Sequence, residues 1–450
     1  MKTRTAVGYL ILGAGLALLA APAARAGAFF APKPGIQLQA KLNCPHMVES
    51  GGTAYLQLSV VTPAVASPAR RAMNLAVVLD RSGSMGSEEK MENARAAVRG
   101  LIDNLRSDDI LSIVIYDDVV EVLRVASPVG DRQALKRLID EVYPRGWTNL
   151  GGGLLEGYRQ VARYRSEAYV NRVILLSDGL ANRGITSHEE LRGIARRQRD
   201  ASVSLTAIGV GLEYNENLMV ALAEGGAGNY YFVEHARSLA EMFRAEFNML
   251  AALVAQNAVI ELKLQKGVEV VDLIGCEYSA EGRNVSVAVG DLYSSERREF
   301  TVLLRVPPGR GNRTIASATL RCTAEDNGRI ASNTVRVGVH YTPDVAEVAR
   351  HRNWEVEAKS EVAASTRRVE EALAELDRGD KDAALARLNE ARRGLAASPA
   401  IEAGGAAADA IREQEARVQA YADTLSRSDE KDSKAKKSIQ YENYQTQKKR

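Results

Sequence analysis

Thirteen residues constrain this chain more than any others: Met73-Asn74-Leu75-Ala76-Val77-Val78-Leu79-Asp80-Arg81-Ser82-Gly83-Ser84-Met85. The first seven are a short, largely apolar run rich in Val and Leu, which reads as a buried strand. The rest sets one carboxylate and two hydroxyls at alternate positions just past the strand end. Oxygen-only donors of this kind suit a hard divalent cation such as Mg²⁺, not zinc or copper. In an open α/β sheet, ligands sit beyond the carboxyl ends of the strands. The stretch therefore predicts both a sheet and the place of its site.

Two later stretches fit the same plan. Gly146-Trp147-Thr148-Asn149-Leu150-Gly151-Gly152-Gly153 offers a hydroxyl in a Gly-rich loop ahead of a helical segment. Arg172-Val173-Ile174-Leu175-Leu176-Ser177-Asp178-Gly179 is a second apolar strand ending in a carboxylate. Together Asp80, Ser82, Ser84, Thr148 and Asp178 resemble the metal-ion-dependent adhesion site of von Willebrand factor type A domains. The resemblance spans roughly Met73 to Leu253, with all five positions matched in order. A lone Asp-x-Ser-x-Ser says little, since Ser and Asp serve turns and helix caps generally. The coincidence of five on an α/β pattern carries the assignment.

The resemblance implies Ser82, Ser84 and Thr148 as direct or water-linked ligands. It implies Asp80 and Asp178 as carboxylates that bind the cation largely through water. Mg²⁺ is the expected ion, with Mn²⁺ and Ca²⁺ open. Held by few direct carboxylates, such an ion keeps positive charge and an open coordination position, which a partner's Asp or Glu can fill. Loop position nominates Arg81, Met85, Trp147, Leu180 and Asn182 as the surrounding partner surface.

The first 26 residues read as a targeting segment. Lys2 and Arg4 precede an apolar or small-residue run from Val7 to Ala21, and Ala24-Arg25-Ala26 has the small-x-small form of a signal peptidase site. The run falls short of the roughly 20 residues of a membrane span. A cleaved signal is expected, with export to the periplasm, the medium or the cell surface and no membrane-spanning segment left afterwards. The formal charge of +2 includes Lys2, Arg4 and Arg25, and without these three it is −1. A near-neutral chain gives no electrostatic case for nucleic-acid binding. Cys44, Cys276 and Cys322 permit one disulfide in an oxidising compartment, or buried unpaired thiols. No Cys-x-x-Cys pair or Cys/His cluster in the sequence signals a zinc site.

A length of 450 residues suggests about two to four domains. Residues 27–72 carry alternating stretches, Ile36 to Leu42 and Ala54 to Val60, which read as half-buried strands needing partners from elsewhere. From 73 to 254, strand and helix alternate. That pattern predicts a doubly wound, mainly parallel, Rossmann-like α/β sheet, with a hairpin at Asp117-Asp118 adding an antiparallel edge strand. Residues 255–342 contain short strands separated by turn signals, the pattern of a β-sandwich. We expect the strands of 27–72 to complete it, so that the α/β domain is inserted into the sandwich. Residues 343–427 predict a helical hairpin or bundle. Within them Arg378-Gly379-Asp380 reads as a helix-breaking turn and not as a recognition tripeptide. Residues 428–450 are polar and basic, and are expected to be a disordered tail.

The expected function is that of an exported protein-binding or adhesion module, not an enzyme, acting on a partner protein through a divalent cation. A second reading is a structural scaffold of an envelope complex, built on the C-terminal helices. A metal-dependent hydrolase is the third. It lacks a Ser-His-Asp order and a further acidic cluster, and only His188 lies near the three loops. Gly151 to Gly153 at a helix start have no P-loop Lys after them. The sequence leaves the oligomeric state open.

Overall fold

The computed structural model describes residues 35–65, 70–324, 330–428 and 433–448. Residues 1–26, expected to be a targeting segment, lie outside the described residues. Three strands come first: β1 (Gln37–Leu42), β2 (His46–Val48) and β3 (Gly52–Val61). An α/β unit follows: β4 (Ala72–Asp80), α1 (Lys90–Asn104), β5 (Ile110–Tyr116), β6 (Val120–Pro128), α2 (Arg132–Asp140), α3 (Leu150–Ala162), β7 (Tyr169–Ser177), α4 (His188–Asp200), β8 (Ser204–Val210), α5 (Glu216–Gly225), β9 (Tyr230–Val233) and α6 (Leu239–Ala251). The chain then forms β10 (Leu253–Leu264), β11 (Glu269–Ile274), β12 (Tyr278–Glu281), β13 (Asn284–Tyr293), β14 (Arg297–Val306), β15 (Gly311–Ala324) and β16 (Ile330–Thr342). It ends in helices α7 (Val345–Arg350), α8 (Trp354–Asp377), α9 (Lys381–Ala396), α10 (Ala400–Ala403), α11 (Gly405–Arg427) and α12 (Ser433–Gln447).

The α/β sheet has the order β6-β5-β4-β7-β8-β9. Its neighbours are parallel except the β5/β6 hairpin at one edge. From β4 the chain winds outward through β5 and β6, then returns to the other side of β4 as β7. The strand order therefore reverses between β4 and β7, which is where such sheets open a crevice for ligands. Strand β4 is buried on both faces because helices cover both. Leu75, Val77 and Leu79 pack with Ala94, Val98 and Leu101 of α1, whereas Ala76 and Val78 pack with Leu154 and Val161 of α3. Successive side chains of a strand point to opposite faces, which divides them this way. The glycines of α3 are explained by close approach: a Cβ on Gly157 would lie 2.4 Å from Val78 Cγ2, and one on Gly153 would lie 2.6 Å from Tyr116 Cδ1.

Strands β1-β3-β14-β11 form one sheet and β12-β13-β10-β15-β16-β2 a second. Their inner residues share one core, including Leu56, Leu58, Ile260, Val302 and Leu320. Strand β3 pairs antiparallel with β14, with Leu56 opposite Val302 and Leu58 opposite Phe300. The chain thus enters the sandwich, leaves it for the α/β sheet, and re-enters at β10. Cys44, Cys276 and Cys322 are all unpaired thiols.

Arg172, near the start of β7, joins the two units and is fully buried. Its Nη2 donates to Asp291 Oδ2 at 3.0 Å and to Tyr293 Oη at 2.8 Å, both on β13 of the sandwich. Its Nη1 donates to Thr206 Oγ1 at 3.2 Å and lies 3.8 Å from Glu246 Oε1 on α6. Removing one partner of a buried ion pair leaves an uncompensated charge in a low dielectric. We expect Arg172→Met to lower unfolding stability by roughly 3–5 kcal/mol, measured by denaturant titration. A loss under about 1 kcal/mol, the worth of an exposed pair, would contradict this account.

Helices α8, α9 and α11 pack through Val369, Leu373, Leu388, Ile411 and Val418. Gly379, with φ of +81°, ends α8, and Asp380 caps α9 by accepting from the Ala383 N–H at 2.8 Å. The expectation of a disordered tail over 428–450 is corrected over most of its length, because residues 433–447 are helical. Ala435, Ile439 and Tyr444 form a buried stripe, and Lys436 and Lys437 are paired and largely shielded from solvent. Lys437 Nζ donates to the Tyr214 carbonyl at 2.7 Å and pairs with Glu216, and Lys436 pairs with Glu216 at 2.6 Å and with Asp377. The Tyr230 N–H donates to Tyr444 Oη at 3.2 Å, while Asn443 Nδ2 donates to the Thr366 carbonyl of α8 at 3.0 Å. A charge-rich composition reads as solvated only when its counter-charges are not found, and here they lie more than two hundred residues upstream in Glu216. Tyr444→Ala should cost roughly 3 kcal/mol, the scale of a buried aromatic truncation. An unchanged denaturation midpoint would show that α12 is not docked in solution.

Candidate metal centre

The site forms because β4 and β7 are parallel neighbours, with Leu79 opposite Leu176. Asp80 ends β4 and Asp178 follows β7 directly, so both carboxylates arrive at the same edge of the sheet. Both side chains are buried. Asp80 Oδ1 accepts the Ser82 N–H at 2.8 Å, and its Oδ2 accepts the Ser177 hydroxyl at 2.7 Å. The Ser84 hydroxyl donates to Asp178 Oδ1 at 2.7 Å and lies 3.1 Å from Ser82 Oγ. Thr148 enters from the loop before α3. A Cβ placed on Gly179 would sit 3.3 Å from Thr148 Oγ1, 3.5 Å from Ser84 Oγ and 4.0 Å from Ser82 Oγ. Three loops therefore bring Asp80, Ser82, Ser84, Thr148 and Asp178 to one point.

The chemistry of this set fits a hard cation. Every donor is oxygen, and the hydroxyls that donate toward the carboxylates keep lone pairs for an ion. Burial, and then the charge of Asp178, pushes the Asp80 carboxyl up to about 6. Burial likewise raises Asp178, against the opposing pull of the Ser84 hydroxyl and Lys90. Two carboxylates whose proton affinity is raised by burial, with the charge of Asp178 adding to the rise at Asp80, mark a place suited to positive charge.

Sequence reasoning missed two participants. Lys90, the first residue of α1, is buried and puts Nζ 3.0 Å from Asp178 Oδ2. A lysine is electrostatically misplaced at a helix N-terminus. That misplacement is a usable signal only once the helix start is known. Ser177, which holds Asp80, looked like an ordinary strand residue.

The expected partner surface needs correction. Met85 is fully buried in the core between α1 and the sheet. Arg81 is buried too, with Nε donating to Asp117 Oδ2 at 2.7 Å and Nη2 to Glu121 at 3.0 Å. Both were nominated on loop position, but the turn after β4 folds them inward. Asn182 is exposed, yet its Oδ1 accepts the Thr148 N–H at 2.9 Å, so it positions the Thr148 loop. Trp147 and Leu180 are open to solvent, at 56% and 55% exposure. The Arg183 guanidinium stacks 5.2 Å from the Trp147 ring.

The raised Asp80 pKa gives a signed expectation. The unfolded group titrates near 3.8 and the folded one near 6. The folded state therefore binds the proton more tightly, and this contribution to stability is full below 3.8 and lost as pH rises through about 6. A cation competes with that proton. We expect Mg²⁺ to raise the melting temperature well above pH 6 and to lose this effect as pH falls below it. Asp80→Asn should be insensitive to Mg²⁺ throughout. Thermal scans with Mg²⁺ and with EDTA check this, and an equal Mg²⁺ effect at both ends of the range would refute it.

Comparison with known proteins agrees with the fold. Residues 74–245 match the model of the von Willebrand factor type A domain. The chain is 28% identical over 193 residues to the uncharacterized protein YfbK of Escherichia coli, covering 43% of this chain and 34% of that one. It is 25% identical over 253 residues to the uncharacterized protein sll0103 of Synechocystis, covering 54% of this chain and 59% of that one. It therefore spans from about a third to about three fifths of these relatives. Among solved structures, a von Willebrand factor type A protein from Catenulispora acidiphila superposes with a TM-score of 0.70 at 18% identity, covering 87% of this chain and 89% of that one. With the switch-point sheet and the matching span in agreement, residues 74–245 belong to the von Willebrand factor type A domain family.

Proposed function

We propose that this protein is an exported interaction module that takes an Asp or Glu carboxylate of a partner protein through a divalent cation at the β4/β7 switch point. The observation that supports it most is the convergence of five oxygen-bearing side chains from three loops on one point, beside an exposed aromatic rim. The family's usual role as an interaction module supports it as well. Mg²⁺ is the ion this hydroxyl and carboxylate set favours. Bound there, it supplies a Lewis-acidic position for a visiting carboxylate oxygen.

The chain's own residues set the balance of charge. Asp80 and Asp178 bring two negative charges, and Lys90 cancels one of them. A divalent ion then leaves the site with a single positive charge, which attracts a carboxylate. Asp80 and Asp178 are also held by hydroxyl and N–H donors, which keeps them from competing with the visitor for inner positions. Trp147 and Leu180 offer apolar area around the entrance, the kind of rim that excludes water from a central polar contact. Export rests on the basic start, apolar run and Ala24-Arg25-Ala26 of the first 26 residues.

Affinity capture from an envelope extract tests the reading. Partners retained with Mg²⁺ should be lost with EDTA and with Asp80→Asn, and an Asp-containing peptide in excess should compete. Trp147→Ala should weaken capture about tenfold, the cost of losing one interfacial anchor, without changing Mg²⁺ affinity. Capture that survives both EDTA and Asp80→Asn would favour a scaffold role for the C-terminal helices instead.

A further inference from the structure

A second cluster of metal-ligating groups lies far from the switch point, where β2, β16 and α7 meet. The chain has 5 histidines, and three of them, His46, His340 and His351, gather here around Glu347. His46 Nδ1 lies 3.0 Å from Glu347 Oε1, and His340 Nε2 lies 3.9 Å from the same oxygen. The ligand atoms of His46, His340 and Glu347 all fall within 4.8 Å of one another. The rings of His46 and His340 are 5.0 Å apart, and His351 stacks on His46 at 3.9 Å with an interplanar angle of 6°.

The surroundings orient these groups as a metal site requires. His340 Nδ1 lies 2.8 Å from Asn312 Oδ1, an oxygen that only accepts. With Nδ1 as the donor in this contact, the neutral imidazole presents its Nε2 lone pair on the side of Glu347. Glu347 Oε2 accepts the Thr342 hydroxyl at 2.8 Å, leaving Oε1 as the ligand oxygen. The Thr342 hydroxyl first, then His46, holds this carboxyl below the usual range. His351 Nδ1 donates to the Glu347 carbonyl at 3.0 Å, which fixes the ring that stacks on His46. Partners of this kind, donors and acceptors behind the ligands themselves, set tautomer and ring orientation in metal centres.

We propose that His46 Nδ1, His340 Nε2 and Glu347 Oε1 form a zinc-class site with one coordination position left for water. Two imidazoles, borderline nitrogen donors, with one carboxylate suit Zn²⁺ and not Mg²⁺. Zinc bonds of about 2.0–2.2 Å place tetrahedral ligands about 3.4 Å apart, so the observed spacings close by small side-chain rotations. Coordination through Nδ1 requires neutral His46 to carry its single ring proton on Nε2, so an Nδ1 proton directed at Glu347 exchanges through solvent to Nε2 as the ion enters. The partial exposure of the three side chains, 22% for His46, 27% for Glu347 and 38% for His340, gives the ion a way in. The site serves as a clamp. Strand β2 has three residues and pairs with β16 over three positions, and α7 has six residues and buries none. Neither element contributes much core, yet both lie where the sandwich passes into the C-terminal helices.

Zinc titration of the full, untagged chain against a coloured chelator tests this, in millimolar Mg²⁺ to occupy the switch-point site. One zinc equivalent should bind, and Zn²⁺ should raise the melting temperature. His340→Ala and Glu347→Gln should each weaken binding by at least about tenfold and abolish the thermal shift. Asn312→Leu, which leaves every ligand in place, should weaken it less. His188→Ala with His235→Ala should leave uptake unchanged. Absence of zinc uptake, or uptake unaltered by the His340 and Glu347 substitutions, would overturn the proposal.

Discussion

Two carboxylates of like charge, buried side by side at the ends of β4 and β7, set the terms for the rest of the molecule. Neither could be held there in isolation, since a buried unpaired charge is costly. The Ser82 N–H and the hydroxyls of Ser84 and Ser177 offset part of that cost, and Lys90 offsets more. The arrangement works only if β4 and β7 are fixed neighbours. A parallel pair cannot be joined by a tight turn, so the chain between them must go out through β5 and β6 and come back along α3. The excursion that makes the parallel pairing possible also delivers Thr148, because α3 begins beside the site.

Strand β7 carries the same logic to its other end. Asp178 follows its last residue, and Arg172 lies near its first, about 20 Å away at the rise of a strand. One end presents negative charge to the crevice, and the other sends a cation into the sandwich, where Asp291 receives it, with Glu246 of α6 beside it. The strand between them is apolar and covered on both faces. Site and domain junction thus depend on one rigid element with a charged residue near each end.

Much of this was legible from sequence, for a physical reason. The strand run, the alternate oxygens after it, the Gly-rich helix start and the second strand are all local patterns with periods of two to four residues. Their order along the chain matched a known site, so the α/β unit and the five side chains that meet at its switch point could be named before any coordinates. Where the reading failed, the deciding partner was distant. Arg81 and Met85 looked like rim residues until the turn after β4 buried them against Asp117 and α1. The tail looked solvated because Lys436 and Lys437 find Glu216 only through the fold. His46 and His340 stand nearly three hundred residues apart and become neighbours only because β2 inserts parallel to β16. No local spacing rule detects such a cluster.

The ties between the α/β unit and its surroundings bear on how the proposed site would select a partner. A single residue, Ala252, separates α6 from β10. Arg172 is locked into β13, and Arg192 and Arg196 of α4 each donate to Glu277 at 2.7 Å. Helix α12 bridges α5, β9 and α8. None of these ties uses Asp80, Ser82, Ser84, Thr148 or Asp178. The loops that carry Ser82, Ser84, Thr148 and Asp178 are thereby mounted on a frame held from several sides, which favours fixed ligand geometry over adjustment. Freedom remains at the rim, with Trp147, Leu180 and Arg183 exposed. On the function proposed above, selection among partners falls to those few side chains, while a cation held by the oxygens beneath them would supply an attraction common to any carboxylate.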